Sequence, residues 1–368
     1  MYIQVIIIIF GFLALNVWGS ADNPRARSSH KKYIIFMMLL LTLQSGLRNL
    51  AVGPDTYNYY NKFVDISNAN WNELFNKISA FYTSGEGKDP AYYFLLKFIQ
   101  IFIPDFQLYL IALATFFFFA LGRLFYRYTN NNYEVLLGVT LYQCLFYSFY
   151  SITGLRQTFA TAFLFLAVPY VLERKFLKFL LLVLIASTQH KTALLFVPFY
   201  FLLLFKSPKK IILFAFIMCA QMSYFVKSLT ANLLAGTFFD QYSIYLEGYE
   251  MAGAHTFTLF ILSLGLWILF ASSKRNERFS LNTLFINSIA VSIAISPLLW
   301  IDPSNMRIVQ YYSVFSIIIL PVLTSVTFKN NTHLFYSLLI IILTIYTISR
   351  DLEYTFFWQE AELGENYR

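Results

Sequence analysis

The stretch QLYLIALATFFFFALGRLFY, residues 107–126, decides the fold of this chain. It holds 20 residues with a single charge, Arg123, and a helix of that length can span the hydrocarbon core of a bilayer. Its apolar residues are continuous, and the same is true of Ile6–Phe10 and Ile317–Leu320. Because the strands of a membrane barrel alternate between apolar and polar residues, these runs predict membrane-spanning helices.

Composition extends this prediction to the whole chain. Of its 368 residues, 58% are hydrophobic and 12% are charged, and the mean hydropathy is +0.59. A soluble domain carries about 25% charged residues, so most of this chain does not face water. We therefore predict an all-α polytopic integral membrane protein with about 12 transmembrane helices and a short re-entrant or interfacial helix. The predicted spans are 2–19, 33–47, 107–126, 133–150, 154–172, 177–190, 192–205, 210–226, 256–272, 281–301, 308–328 and 333–349.

Lysines and arginines set the orientation of these spans. The connections fall into two classes, one with 16 basic and four acidic residues and the other with 11 basic and 15 acidic residues. Because basic residues concentrate in cytoplasmic connections, the first class is predicted to be cytoplasmic, and both chain ends then face outward. The apolar stretch Ala91–Ile103 is short for a span and is predicted to be the re-entrant or interfacial helix.

The predicted layout is a single transmembrane domain, residues 1–350, with an acidic outer tail, residues 351–368. Two long connections, residues 48–106 and 227–255, face outward, whereas the cytoplasmic connections are short. The protein is therefore predicted to work on the outer face of its membrane. The sequence shows no internal repeat, which argues against a transporter built from two similar halves.

The motifs that the sequence lacks exclude several classes of protein. Cys144 and Cys219 lie inside apolar runs, and the four histidines form no metal-binding motif. No phosphate-binding glycine loop is present, so the sequence predicts neither a metal nor a nucleotide cofactor. The net charge of +8 follows the topology of the connections and does not indicate nucleic-acid binding.

The first candidate site residue is Arg48, at the outer end of the second predicted span. Charges at membrane depth are costly, which makes them candidates for function. The turn Gly53–Thr56 follows, in which Asp55 or Thr56 is free to cap the next helix. One interpretation is an arginine that snorkels to the surface beside a helix cap. The other is an arginine that binds a phosphate beside a carboxylate and sugar-stacking rings. The rings are those of Tyr57, Tyr59 and Tyr60.

Arg156 is the second candidate. It lies between two predicted spans that have almost no connection, and no other charge occurs between Glu134 and Glu173. Such a charge costs roughly 2.5–3.5 kcal/mol on insertion scales when it has no partner. An acidic residue on another helix is one solution and a bound anion is the other. Arginine suits a diphosphate because its planar fork donates paired hydrogen bonds.

His190 and Lys191 divide the apolar stretch Phe176–Phe205 into two halves of about 14 residues. As α-helices, the halves would each be about 21 Å long, shorter than the roughly 30 Å hydrocarbon core. The tip between them is therefore predicted to lie below the outer surface. A histidine there is either a hydrogen-bonded structural residue or a general base, because imidazole exchanges protons near neutral pH.

Arg307 is the fourth candidate, and it begins an apolar run on the outer side. Pairing with Asp302 is the alternative to a role in binding. Arg48, Arg156, His190 and Arg307 are all predicted at the outer ends of spans. A basic cluster at that depth suits the headgroup of a lipid diphosphate.

Four stretches that carry these residues resemble one known family. They are RNLAVGPDTYNYYNKF (Arg48–Phe63), DPAYYFLLKF (Asp89–Phe98), GLRQTFATAF (Gly154–Phe163) and HKTALLFVP (His190–Pro198). The chain looks like the EpsG-type polysaccharide polymerases of the wider Wzy O-antigen polymerase group, over about residues 45–200. The residues that match the family pattern are Arg48, Gly53, Asp55, Thr56, Tyr59, Arg156, Gln157, Ala160 and His190. Lys191 departs from it, because a small residue is expected there.

The resemblance implies a C-type glycosyltransferase-like membrane fold and metal-independent glycosyl transfer on the periplasmic face of a bacterial inner membrane. The substrates would be oligosaccharide repeat units on undecaprenyl diphosphate, joined into O-antigen or exopolysaccharide. His190, Arg156 and Asp55 would be catalytic, with His190 or Asp55 as the general base. The implied residues that bind the diphosphate or the sugars are Arg48, Arg307, Gln157, Lys191, Thr56, Tyr57, Tyr59 and Tyr60. A chain-length regulator is a further expected partner.

Two other functions fit parts of the same pattern. An O-antigen ligase, which transfers finished polymer to the lipid A core, also has outer arginines and a histidine. The pattern from Arg48 to Tyr59 favours the polymerase. A flippase for the same lipid is the other alternative, but the short cytoplasmic connections offer little to bind the lipid at the inner face.

Overall fold

The computed structural model describes residues 2–19, 26–84, 90–233, 252–272, 282–300, 305–350 and 354–360. These residues are predominantly helical, as predicted, and their one strand-like pairing is an isolated antiparallel bridge between Arg48 and Phe356. The chain forms two compact units. The first unit comprises Met1–Val197 and Tyr336–Arg368, and the second unit comprises Pro198–Phe335.

The helices of the two units follow one another along the chain. The first unit contains α1 (Ile3–Trp18), α2 (Ala26–Gly46), α3 (Thr56–Asn68), α4 (Trp71–Ser84), α5 (Pro90–Gln100), α6 (Phe106–Tyr128), α7 (Asn132–Leu145), a π-helix (Ser148–Thr153), α8 (Leu155–Leu172) and α9 (Phe176–Gln189). The boundary between the units falls within a 3₁₀ helix (Lys191–Leu204). The second unit contains α10 (Pro208–Leu233), α11 (Ala252–Ala271), α12 (Thr283–Ile295), a 3₁₀ helix (Ser296–Trp300), α13 (Met306–Ser313), α14 (Ser316–Thr327) and a 3₁₀ turn (Lys329–Asn331). The last helix, α15 (Thr332–Ser349), lies mostly in the first unit.

Each predicted span lies on one helix or on two consecutive helices. Among the described residues, four segments are long and apolar enough to cross a membrane, namely Phe106–Tyr128, Leu155–Leu172, Thr283–Trp300 and Lys329–Ser349. A fifth is added if α13 and α14, which meet at a bend of 43°, form one span. These helices are those of a polytopic membrane protein, and the total of about 12 spans stays a prediction.

The hairpin at His190 differs from its predicted geometry in one half. The first half is α9, with 14 residues, and the second half is a 3₁₀ helix, also with 14 residues. A 3₁₀ helix rises about 2.0 Å per residue, so the second half is about 28 Å long and not the predicted 21 Å. Only the first half is therefore clearly shorter than the hydrocarbon core.

The long connection at residues 48–106 is largely helical, whereas the sequence indicated only a helix after Thr56 and the short apolar helix. It contains α3, α4 and α5, and α5 packs against α3, α4 and α9. The predicted short apolar helix at Ala91–Ile103 corresponds to α5, which has 11 residues. Its position in a membrane stays a prediction. In the other long connection, residues 227–255, α10 continues to Leu233 and α11 begins at Ala252, and residues 234–251 lie outside the described part of the chain.

A buried carboxylate joins α7 to α15 in the first unit. Glu134 is fully buried, and its carboxylate accepts hydrogen bonds from the Asn130 backbone N–H at 2.8 Å and the Asn131 side-chain amide at 3.0 Å. Asn131 caps α7 in return, because its side-chain oxygen accepts from the Glu134 N–H at 3.0 Å. The Tyr336 hydroxyl of α15 donates to the same carboxylate at 3.4 Å. The Glu134 carboxylate therefore accepts hydrogen bonds from the residues that precede α7 and also binds the neighbouring helix, α15.

We predict that Glu134→Ala lowers the stability of the detergent-purified protein by about 2–3 kcal/mol, because it leaves buried donors without an acceptor. The thermal unfolding midpoint measures this loss. Glu173→Ala is the matched control, since the Glu173 carboxylate is exposed and pairs with Arg127 and Lys175 at the surface. It should change the midpoint little. Equal effects of the two substitutions would contradict the role given to Glu134.

Candidate active site

The Arg48 guanidinium joins the ends of two helices. It donates to the carbonyl oxygen of Ser45 at the end of α2, to the carbonyl oxygen of Ile152 in the π-helix at 3.4 Å, and to the Thr56 hydroxyl at 3.4 Å. Its side chain is 1% exposed, so the interpretation as a snorkelling arginine is wrong. Burial lowers the pKa of Arg48 to about 10, which still leaves a cation at neutral pH. Direct contact between Arg48 and a substrate stays a prediction.

The turn after Arg48 packs directly on the π-helix. Gly53 has φ +83°, and a Cβ atom on it would lie 2.0 Å from Cγ2 of Ile152. The Thr56 hydroxyl donates to the Val52 carbonyl at 2.7 Å while it accepts from Arg48, and Thr56 is fully buried. Thr56 therefore positions the arginine, and its contact with a substrate stays a prediction.

Asp55 lies at the N-cap position of α3, but its side chain makes no capping hydrogen bond. The predicted cap by Asp55 or Thr56 is therefore wrong, because the Thr56 hydroxyl is bonded to the preceding turn. Asp55 is half-buried, and within the described residues its carboxylate forms no hydrogen bond or ion pair. It remains available as a proton acceptor.

Two buried tyrosines, which sequence reasoning missed, link the surroundings of the two arginines. The hydroxyl groups of Tyr92 on α5 and Tyr109 on α6 are 2.7 Å apart, and both side chains are buried. Arg48 lies near enough to Tyr109 and Tyr59, and Arg156 near enough to Tyr92, for electrostatic interaction. One hydroxyl proton is used within the pair, and the other has no acceptor in the described part of the chain. The phenol pair, Tyr92 with Tyr109, therefore has one hydrogen-bond donor to spare.

An apolar cluster brings three of the four family-like stretches together. Its buried members come from α3, α4, α5, α6 and α8, and they include Phe63, Tyr92, Tyr109 and Leu155, next to Arg156. The half-buried Tyr59 packs against it. Stretches that are distant in sequence thus meet on one cluster.

The other two predicted tyrosines form a ladder at the side of this cluster. The Tyr60 ring packs edge-on against Phe106 at 5.5 Å, and the Tyr57 ring stacks on Tyr60 at 6.2 Å. Both residues are half-buried, so each side chain is partly exposed. Stacking on a sugar stays a prediction for both rings.

Arg156 and Gln157 lie in the first turn of α8. This helix starts directly after the π-helix, and its N-cap residue, Gly154, has no side chain to cap it. Arg156 is half-buried and Gln157 is 2% exposed. A π-helix is rare and often occurs at functional sites. The turn that carries Arg156 is held in place by the contact between Arg48 and Ile152.

His190 follows the last residue of α9, with an extended backbone, and it is 7% exposed. Lys191 begins the 3₁₀ helix and is exposed. Because α9 packs against both α8 and α5, the His190 hairpin belongs to the same group of helices as Arg156 and Tyr92.

Arg307 lies in the second unit, in the first turn of α13, and is half-buried. Its alternative partner, Asp302, lies outside the described residues. The contribution of Arg307 to the site therefore stays a prediction. Within the described residues, no group of three His, Cys, Asp or Glu side chains is placed to hold a metal ion.

The C-terminal segment Tyr354–Glu360 packs on the Arg48 stretch, which the sequence did not indicate. The Asn49 N–H donates to the Thr355 carbonyl and the Phe357 N–H donates to the Leu47 carbonyl, both at 2.9 Å. The buried Tyr354 donates its hydroxyl proton to the carbonyl of Gln44 at 2.6 Å. These residues lie within the predicted outer tail, and they form part of the wall around Arg48.

We predict that Gly53→Ala destabilises the first unit by at least about 2 kcal/mol, because an alanine would be strained at this φ and would clash with Ile152. Gly154→Ala is the matched control, since its Cβ would lie at an ordinary 3.4 Å from Phe149. The thermal unfolding midpoints of the two purified variants check this. A Gly53→Ala midpoint equal to that of Gly154→Ala would show that the turn does not pack on the π-helix.

Comparison with known proteins agrees with the family-like pattern and extends it. The model of the EpsG family matches residues 31–360, which include every candidate residue from Arg48 to Arg307. Searches of curated proteins and of solved structures found no match to the chain. Because the match covers nearly the whole chain, this protein belongs to the EpsG family.

Proposed function

We propose that this protein is a glycosyltransferase that joins undecaprenyl-diphosphate-linked oligosaccharide repeat units into a polysaccharide. Membership of the EpsG family suggests a polysaccharide polymerase-like function, and the apolar helices suggest a membrane-embedded protein. The observation that carries the finer proposal is that Leu155, next to Arg156, packs in the same apolar cluster as the hydrogen-bonded phenol pair.

A diphosphate group suits this arrangement for electrostatic reasons. The N-terminus of a helix carries partial positive charge and favours anions, and α8 presents Arg156 in its uncapped first turn. Arginine can donate two parallel hydrogen bonds to phosphate oxygens. The spare proton of the phenol pair adds a neutral donor nearby. Arg156 and the phenol pair would therefore contact the diphosphate, and Arg48 would hold the turn that presents Arg156.

The proposed reaction is a substitution at the anomeric carbon of the donor sugar. The acceptor hydroxyl oxygen forms the new glycosidic bond, and the bond from the anomeric carbon to the lipid diphosphate breaks. The diphosphate leaves with the electron pair, and Arg156 stabilises its developing charge. The hydroxyl proton passes to a general base. Since the lipid diphosphate is already an activated leaving group, the transfer needs no nucleotide, and we propose that it is metal-independent.

Two side chains are candidates for the general base, and each has one structural argument. His190 lies at the end of α9, which packs against α8 and α5, and imidazole suits proton transfer near neutral pH. Asp55 has a half-buried carboxylate that is engaged by no described residue. We propose His190 as the base and Asp55 as the alternative.

The proposal also includes the location and architecture of the enzyme. The distribution of lysine and arginine supports an active site on the periplasmic face of the inner membrane, with about 12 spans in a C-type glycosyltransferase-like fold. The proposed partners are the lipid-linked repeats, membrane lipids and a chain-length regulator.

We predict that Arg156→Ala and His190→Ala abolish long polysaccharide chains while the protein remains expressed. Mass spectrometry of lipid-linked glycans from cells that carry each variant should detect undecaprenyl diphosphate bearing a single repeat. Arg174→Ala and His333→Ala are matched controls, since both residues are exposed and lie away from this cluster in sequence. The controls should make normal chains. Full-length polymer on the lipid in cells without the gene would exclude the polymerase and favour the ligase.

We predict that Tyr92→Phe with Tyr109→Phe slows the consumption of lipid-linked repeats by about tenfold or more, because a hydrogen bond to an anion is lost. The phenylalanine rings keep the apolar cluster intact, and each single variant retains one hydroxyl and should be less affected. Tyr93→Phe, on the same helix, is the control and should be unaffected. A double variant with the wild-type rate in isolated membranes would remove the phenol pair from the site.

A further inference from the structure

A groove lies between α2 and α6 in the first unit, away from the candidate active site. It encloses about 430 Å³, and nearly all of its lining is apolar. Lys31, Arg123 and Tyr126 line one end, and Thr42 and Thr115 line the other. We call the first the basic end of the groove. The connections at this end of α2 and α6 belong to the class with excess basic residues, which is predicted to be cytoplasmic.

The residues along α2 and α6 show where the groove runs and where it ends. Thr115 and Thr42 are small residues of the lining, whereas at Gly122 the two helices are in contact, because a Cβ atom there would lie 2.9 Å from the Met38 Cγ. The groove therefore runs along the surface of the helix pair. About one turn beyond Thr42, the helices touch, because a Cβ atom on Gly46 would lie 2.9 Å from the Ile111 Cα. The lining of the groove ends at Thr42 and Thr115, before α2 reaches Arg48.

No acidic side chain of the described residues pairs with the cations that line the basic end. Lys31 and Arg123 are exposed, and neither forms an ion pair within the described residues. The Arg123 guanidinium carbon lies 5.9 Å from the ring centroid of Phe119, which also lines the groove. Arg27 donates to the Tyr126 hydroxyl at 3.1 Å and so brings a third cation to this end. Three positive charges thus border an apolar trough.

We propose that the groove binds an anionic phospholipid of the cytoplasmic leaflet, with an acyl chain between α2 and α6 and the phosphate at Lys31 and Arg123. The charge of the site matches this ligand, because the cytoplasmic leaflet is rich in anionic lipids and basic pockets between transmembrane helices bind their headgroups. A neutral lipid would satisfy the apolar trough and leave the cations without a counter-ion. The site does not depend on the proposed polymerase activity, since it ends before the residues assigned to that activity.

Native mass spectrometry of the purified protein with added phosphatidylglycerol or phosphatidylcholine tests the proposal. Wild type should retain phosphatidylglycerol in preference, and Lys31→Gln with Arg123→Gln should reduce that retention by about tenfold or more. Lys32→Gln with Arg127→Gln is the matched control. It removes the same charges from the same helix ends, but neither residue lines the groove, so it should retain phosphatidylglycerol as wild type does.

A second variant tests the trough without changing any charge. Thr115 is exposed to the groove, and Thr115→Phe should fill the trough and also reduce the retention of phosphatidylglycerol. Three results would overturn the proposal. The first is an equal loss of phosphatidylglycerol retention in the two double glutamine variants. The second is unchanged retention of phosphatidylglycerol by Thr115→Phe. The third is retention of undecaprenyl phosphate in preference to phosphatidylglycerol.

Discussion

The hydrogen bonds of one buried guanidinium hold the end of α2 and the π-helix together. The last carbonyl groups of a helix have no partner within the helix, and away from water they must find donors elsewhere. Arg48 supplies such donors to the end of α2 through Ser45 and to the π-helix through Ile152. Both helix ends carry partial negative charge. They help to compensate the buried cation, for which the described residues provide no carboxylate in contact.

This interaction connects parts of the chain that are far apart in sequence. Arg48 and Ile152 are separated by 104 residues, and Asn49 and Phe356 by 307. The C-terminal segment closes over the Arg48 stretch, and Gly53 lets the intervening turn approach Ile152. The start of α8, and with it Arg156, is therefore held by the Arg48 stretch, on which the C-terminal segment packs. Such a start can present a charged side chain in one orientation, which a flexible loop could not do.

Sequence reasoning located the helices because hydropathy and helix length are local properties. It also singled out Arg48 and Arg156, since a charge beside a long apolar run is conspicuous. It anticipated the helix after Thr56 but missed α4, because the polar and aromatic residues of α4 resemble those of a surface loop. Tyr109 could not be recognised as a candidate, because it lies inside an apolar span. Its hydrogen bond to Tyr92 depends on where α5 lies, and α5 is held by its packing against α3, α4 and α9. The pairing of Phe356 with Arg48 could not be predicted, because nothing in the tail marks its partner.

The two arginines are suited to different tasks, although Arg156 was predicted to be catalytic and Arg48 to bind the substrate, so that both would contact it. Arg48 is 1% exposed, and three of its five N–H donors are engaged. It can shape the electrostatic potential and hold Ile152, but a substrate would have to displace existing contacts to reach it. Arg156 is half-buried at a helix N-terminus that has no side-chain cap, a position where an incoming anion gains from both the charge and the helix dipole. We therefore infer that Arg48 fixes the geometry and that Arg156 meets the ligand. By this argument, replacing Arg48 with lysine would disturb the site through its geometry, because a lysine keeps the charge but cannot donate in three fixed directions at once.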